Sequence, residues 1–159
     1  MIALFCSALF VGYKFSMKYK RRHMFFQSLV MLCHKFDIEM NFSKERIANI
    51  IKNLDEKTIK HLYGLEKNYL SFLNQENDLN KELLFQNIAF IRPAEQDLIY
   101  SFFKSLGRSD LDSQSKEIHT HLARFDNLEK ETALENKKYG SLSIKLGVVA
   151  GLFLLILLI

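Results

Sequence analysis

The most constraining feature of the chain is its apolar end. The last fourteen residues, 146–159 (LGVVAGLFLLILLI), carry no polar side chain. A helix from 141 to 159, with the Lys145 ammonium reaching toward the lipid headgroups, would be about 28 Å long, close to the ~30 Å hydrocarbon core of a bilayer. The sequence therefore predicts a transmembrane helix over 141–159, with almost nothing on the far side.

A second apolar run of thirteen residues, MIALFCSALFVGY, opens the chain. It leads directly into a basic segment that contains Lys14, Lys18, Lys20, Arg21 and Arg22. A cleaved secretory signal carries its positive charge before the apolar run, whereas here the charge follows it. This order predicts a retained transmembrane helix over 1–17; the alternative is a helix buried in the membrane domain of a partner.

Charge is segregated along the sequence. No acid precedes Asp37 and none follows Glu135; the stretch between them holds eighteen acids and thirteen bases, and the flanks hold nine Lys and Arg residues. By the positive-inside rule, we expect a protein of the cell membrane with residues 18–140 in the cytoplasm and both termini on the extracytoplasmic side. Because the central part is acidic, the basic net charge does not predict nucleic-acid binding. The residues expected to contact anionic lipid headgroups are Lys14, Lys18, Lys20, Arg21, Arg22, Lys137, Lys138 and Lys145.

The spacing of apolar residues predicts an all-α fold, because it is helical and the 159 residues include only one proline and six glycines. We expect a six-helix cytoplasmic bundle over 18–140, continuous with the two transmembrane helices. The first predicted helix ends near Asn41, and the last runs from a capping box at Ser109 and Asp112 to the end of the chain. The four predicted helices between them run from a cap at Ser43 to Leu54, from Glu56 to Leu73, from Lys81 to Ile91, and from Pro93 to Leu106.

The last predicted helix carries a seven-residue repeat. Positions 111, 118, 125, 132, 139 and 146 are Leu, Ile, Phe, Thr, Tyr and Leu. Five of these six residues are apolar, which predicts a single unbroken helix whose first half packs in the bundle and whose second half crosses the bilayer.

No motif of a catalytic, cofactor or metal site occurs in the sequence. There is no glycine-rich phosphate loop, GxSxG, HExxH or calcium loop. His119 and His121 would point roughly 200° apart on a helix, so they would not bind one metal ion together. We therefore predict a protein that is not an enzyme and that has no catalytic residue, cofactor or metal.

One polar corner and one small-residue face are the candidate binding sites. The corner between the fifth and sixth helices contains convergent polar groups, although helix capping by itself accounts for its glycine, serine and first aspartate. Gly147, Ala150 and Gly151 give the last helix a small face on which another membrane helix can pack closely. The candidate partner-binding residues of the corner are Leu106, Gly107, Arg108, Ser109, Asp110 and Gln114.

The corner and the apolar end resemble the stage III sporulation protein AB family. The resemblance covers about 95–159, and 36–42 (FDIEMNF) is more weakly similar to a family segment. The chain departs from the family pattern at Phe103, where a glycine is usual, and at 43–45, where a Thr-Pro-Leu is absent. The matching residues are Leu106, Gly107, Ser109, Asp110 and Gln114, and then Leu146, Gly147, Gly151, Leu157, Leu158 and Ile159.

The resemblance implies a component of the channel-like machinery between mother cell and forespore, placed in the mother-cell membrane around the forespore. The family is similar to platform proteins of type II secretion and type IV pilus systems. This similarity implies a bundle that couples a cytoplasmic secretion-type ATPase to membrane subunits. Assembly of several copies of the chain into a homo-oligomer is one arrangement that fits this role. Two other hypotheses stay open at this point. A membrane-anchored helical enzyme would have a polar pocket with a titratable group, and a sensor or toxin-like protein would act without partners.

Overall fold

The computed structural model describes residues 2–43, 45–74, 78–106 and 111–157, and these ranges are all-helical with no strand. The all-α prediction is confirmed. The helices are α1 (Ile2–Ile38), α2 (Ile47–Lys52), α3 (Glu56–Leu62), α4 (Leu65–Leu73), α5 (Lys81–Phe85), α6 (Pro93–Ser105), α7 (Leu111–Glu135) and α8 (Ser141–Leu157), with π-helical segments at Glu39–Ser43 and Asn136–Gly140.

The chain divides into two compact units. The hairpin unit comprises Met1–Met24 and Glu129–Ile159, and the bundle unit comprises Phe25–Leu128. The helices α1 and α7 each contribute residues to both units.

Aromatic side chains fill much of the core of the bundle unit. Phe102 of α6 lies 5.4 Å from Phe125 of α7 and 6.2 Å from Phe36 of α1, measured between ring centroids. Phe103 packs 4.6 Å from Tyr69 of α4. All five side chains are fully buried, so these contacts join α1, α4, α6 and α7 around one core.

Local capping fixes the starts of α3 and α6. At the start of α3, the Thr58 amide donates to Asp55 Oδ1 at 2.9 Å and the Thr58 hydroxyl donates to Oδ2 at 2.6 Å. These hydrogen bonds hold the pKa of Asp55 below its usual value. At the start of α6, Pro93 occupies the first turn, and the Arg92 amide donates to Glu95 Oε2 at 3.0 Å.

Several predicted helix boundaries are wrong. The helix predicted over 56–73 is two helices, because Tyr63 (φ 54°) and Gly64 (φ 88°) adopt left-handed conformations that end α3. The helix predicted over 81–91 ends at Phe85. The predicted Ser43 cap is also wrong, because α2 begins after Arg46.

Within the described ranges, no helix is both long and apolar enough to cross a membrane. The transmembrane helices predicted over 1–17 and 141–159 are therefore not supported by the structure. In α1 the apolar run gives way to Lys14 and Lys18, and α8 is described over 17 residues, with Leu158 and Ile159 outside the described part.

Candidate functional site: the helical hairpin

The hairpin unit is built on a close approach between α1 and α8. A Cβ atom added at Gly12 would lie 2.7 Å from the Ser143 carbonyl oxygen and 3.1 Å from the Gly147 Cα. A Cβ added at Gly147 would lie 3.1 Å from the Ala8 carbonyl oxygen. Because the obstructing atoms belong to the backbone, only glycine allows the two helices to lie this close together.

The π-helical segment Asn136–Gly140 determines which face of α8 meets α1. The predicted repeat is buried at Ile118, Phe125 and Thr132, but Tyr139 is 38 % exposed and Leu146 is 58 % exposed. Burial continues instead at Gly140, Gly147 and Gly151. A π-bulge accommodates one extra residue in a helix, so the buried stripe is displaced by one position beyond Thr132. The seven-residue repeat of the sequence therefore does not mark the buried face past Thr132.

An ion cluster lies further along the hairpin. Arg22 is only 4 % exposed, donates from Nη1 to Glu135 Oε2, and places Nη2 4.0 Å from Glu131 Oε1. The next residue, His23, has its Nδ1 3.6 Å from Glu129 Oε1. The structure thus places Arg22 in a buried ion pair, whereas the sequence predicted that it contacts lipid headgroups.

Two tyrosines separate this ion cluster from the glycine contact. The rings of Tyr19 and Tyr139 stack with centroids 5.6 Å apart. From the glycine contact to the ion cluster, α1 and the α7–α8 segment therefore run antiparallel with side chains in register. Of the predicted small face, Gly147 packs against Gly12 within the chain and Gly151 is buried, whereas Ala150 is exposed. Packing of this face against another membrane helix stays a prediction.

An apolar groove of about 400 Å³ lies between α1 and α8 in this unit. Small residues line its floor, among them Ala8, Gly12, Gly147 and Ala150. Larger apolar side chains form its walls: Val11, Phe15, Leu146 and Leu154.

Exposed cations accompany the apolar surface of the hairpin. Large apolar side chains such as Phe10, Phe15, Val149 and Phe153 are exposed here. Exposed Lys and Arg residues of the hairpin unit occur before Asp37 and after Glu135, and we call this set the basic collar. The basic collar comprises Lys14, Lys18, Lys20, Arg21, Lys137, Lys138 and Lys145.

The predicted polar corner is described only in part. Gly107, Arg108, Ser109 and Asp110 lie outside the described residues. Leu106 and Gln114 are buried in the bundle unit, and Gln114 Nε2 has no hydrogen-bond partner in the described part of the chain. Partner binding at the corner stays a prediction.

Two buried titratable groups occur in the bundle unit. Burial raises the pKa of Glu66, whose Oε2 has no hydrogen-bond partner within the described residues. Burial also lowers the pKa of His121, whose ring packs 5.3 Å from that of Phe102. Neither residue lines the hairpin groove or a second groove of about 310 Å³ beside Ile38 and Asp55.

Metal-ligating side chains do not gather in the described part of the chain: no three His, Cys, Asp or Glu residues there could hold one ion. The Nε2 atom of His119 lies 3.3 Å from Asp37 Oδ1, whereas His121 packs against the rings of Phe102 and Phe125. The two histidines thus have different neighbours.

The family model of stage III sporulation protein AB matches residues 1–159, the whole chain. The chain belongs to this family. The resemblance that the corner and the apolar end carry is confirmed, and membership in the family supports a role in sporulation. No curated protein and no solved structure matches the chain.

Sequence reasoning missed the N-terminal half of the hairpin contact. Ala8 and Gly12 have the same four-residue spacing as Gly147 and Gly151, and this pair of small residues was the available signal. The Arg22 ion pair had no such signal, because its partners lie more than 100 residues away in the chain.

Proposed function

We propose that the protein is a non-enzymatic platform of the sporulation machinery between mother cell and forespore. In this proposal the bundle unit binds a cytoplasmic secretion-type ATPase, and the hairpin unit binds other membrane subunits. The observation that carries it is the division of the chain into two units of different surface chemistry. The hairpin unit has nine Lys and Arg residues against three acids, whereas the bundle unit has thirteen against fifteen.

Membrane insertion of the hairpin is part of the proposal. The exposed apolar side chains of α1 and α8 would lie among lipid tails, and the basic collar would lie at the headgroups. In this arrangement the two helices enter the bilayer together as a glycine-packed pair. In this proposal the hairpin unit lies in the mother-cell membrane around the forespore, the bundle unit lies in the cytoplasm, and both termini are extracytoplasmic.

Family membership and the aromatic core support the platform role. A bundle with a continuous core is rigid enough to present a binding surface, and α1 and α7 each reach into the hairpin unit. An enzyme remains the alternative from the sequence. The second described groove is lined by His34, Lys35, Glu39 and Asp55 among others, whereas Glu66 and His121 line neither described groove.

The test is crosslinking in sporulating cells. A single cysteine replaces Lys60, an exposed residue of the bundle unit, in a chain whose own two cysteines are changed to serine; the matched control replaces Val149, an exposed residue of the hairpin. We expect adducts with the ATPase from position 60 and adducts with membrane proteins from position 149.

Binding of the detergent-solubilised full chain to the purified ATPase is the second measurement. Absence of binding, together with normal sporulation of a deletion strain, would overturn the proposal. ATPase adducts from position 149 alone would reverse the roles of the two units.

A further inference from the structure

The hairpin groove has the form and chemistry of a site for a single extended apolar chain. Its volume, about 400 Å³, lies within the ~300–1,000 Å³ range of small-molecule sites. Its floor includes Gly12 and Gly147, which have no side chains, and apart from Ser7 and Ser143 its remaining lining is apolar.

Cations lie near one end of this groove. Lys18 follows Phe15 by three residues in α1, so it lies on the same helix face, about one turn beyond the wall that Phe15 forms. Lys138 lies beside the Tyr19–Tyr139 stack, with its Nζ 5.2 Å from the Tyr139 ring centroid. The acids Glu131 and Glu135 of the hairpin unit lie near Arg22, and no acid follows Glu135 in the sequence, so this end of the groove attracts anions.

We propose that the groove binds one acyl chain of an anionic phospholipid, whose phosphate is held by the basic collar through Lys18 and Lys138. This inference rests on the proposed function, since it requires the hairpin to be in a membrane. The acyl chain covers the apolar floor, and the headgroup phosphate neutralises the cations.

Charge distinguishes this occupant from a second copy of the chain. A second hairpin inserted in the same orientation would bring another basic collar to the same depth of the membrane. Like charges placed together in this way repel one another and disfavour the pairing. An anionic lipid offers the same apolar contact with the opposite charge, so it is the occupant that the surface chemistry favours.

The experiment uses the full chain reconstituted into phosphatidylcholine vesicles that contain trace phosphatidylglycerol with a photoreactive group on its acyl chain. After illumination, mass spectrometry locates the labelled residues. We expect label at the groove walls Val11, Phe15 and Leu154, and about tenfold less label from the phosphatidylcholine analogue.

Ala150→Phe fills the groove, and Val149→Phe is its matched control, because Val149 is 62 % exposed and does not line the groove. We expect Ala150→Phe to reduce labelling of the walls about tenfold and Val149→Phe to leave it unchanged. A second variant keeps the groove intact: Lys18→Gln with Lys138→Gln should remove the preference for phosphatidylglycerol, while Lys57→Gln with Lys60→Gln in the bundle unit should not.

Each of the following outcomes would overturn the inference. Equal labelling of the walls in the Ala150→Phe and Val149→Phe variants would show that no groove site exists. A photoreactive residue in place of Leu154 tests the other occupants. In the vesicles, crosslinks between two copies would assign the groove to a second hairpin; in sporulating cells, crosslinks to another protein would assign it to that protein. Failure of the chain to enter the vesicles would overturn the proposed function as well, whereas normal entry without groove labelling would overturn the lipid site alone.

Discussion

Arg22 is the residue whose structural role differs most from the lipid contact that its sequence neighbours predict. It stands in a basic run, yet its guanidinium is buried against Glu135 and lies near Glu131. Its exposed neighbour Arg21 belongs to the basic collar. The two arginines therefore allow a matched comparison of a buried pair with a surface charge.

We expect Arg22→Met to destabilise the hairpin by about 3 kcal/mol, because it leaves Glu135 without the cation that compensates its burial. Arg21→Met should change stability by less than about 0.5 kcal/mol. Hydrogen exchange of α1 amides in detergent would measure both values.

The double variant Arg22→Met/Glu135→Met should recover most of the lost stability, because no charge is then left buried. A double variant as unstable as Arg22→Met would contradict this account of the pair.

Glu66 is a buried acid in the first turn of α4, and its pKa is raised by burial. The folded protein therefore keeps the proton to a higher pH than the unfolded chain, whose carboxyl titrates near 4.5. As the pH rises from about this value through the raised pKa, the unfolded chain binds fewer protons, so stability falls.

Glu66→Gln should remove this pH-dependent loss of stability. The stability of the variant minus that of the unchanged protein should therefore increase as the pH rises from about 4.5 through the raised pKa, and then level off. Thermal unfolding at a series of pH values measures the difference, with the exposed Glu82→Gln as control. A constant difference between pH 4 and pH 8 would contradict the burial of an ionising Glu66.

At the scale of elements, the contact between α1 and α8 depends on the absence of side chains. We expect Gly12→Ala to destabilise the hairpin by about 1–3 kcal/mol, since its Cβ would meet the Ser143 carbonyl and the Gly147 backbone. At Gly140 an added Cβ would meet only the ends of side chains, Asn136 and Ser16.

Gly140→Ala should therefore be nearly neutral, which makes it the matched control. Unfolding of both variants in detergent is the measurement. Equal destabilisation by the two substitutions would show that close packing of the helix backbones is not what matters.

The π-helical segment between α7 and α8 makes a specific prediction about chain length. Deletion of Lys137 should convert this segment to α-helix and leave Gly147 facing Gly12, because the extra residue of the bulge is the one removed. Insertion of one alanine after Lys137 should instead turn α8 by about 100°, bringing Leu146 toward α1.

We expect the deletion to change the melting temperature by no more than a few degrees and the insertion to abolish the protection of α8 amides from hydrogen exchange. An insertion tolerated as well as the deletion would contradict the register that the bulge sets.

At the scale of the whole molecule, net charge is divided between the two units. The hairpin unit carries a formal net charge of +6 and the bundle unit −2, which together give the +4 of the chain. A membrane with anionic lipid would therefore attract one unit and repel the other.

Lys137→Gln with Lys138→Gln should weaken partition from detergent into phosphatidylglycerol vesicles about thirtyfold, at roughly 1 kcal/mol for each lysine near the surface. The exposed pair Lys57→Gln and Lys60→Gln in the bundle unit should leave partition unchanged or strengthen it slightly. An equal loss from both pairs would show that the net charge of the chain matters and its distribution does not.

Local signals in the sequence predicted the elements that depend on neighbouring residues. Pro93 and the absence of breakers before Leu106 correctly predicted α6, and the repeat through Ile118 and Phe125 predicted the buried face of α7. The break at Tyr63 and Gly64 was missed because a single glycine is compatible with a continuing helix. The end of α5 at Phe85 was missed because 86–91 contain no proline or glycine.

The amino-acid sequence by itself determined the helical class, the family, and the separation of basic ends from an acidic middle, because these follow from composition, motif and local spacing. Only the tertiary structure decided that Gly147 meets Gly12 and that Arg22 meets Glu135. Each of these contacts joins residues more than 100 positions apart. Whether such residues meet depends on the path of the whole chain and on one extra residue in a π-helical turn, which no local pattern of side chains specifies.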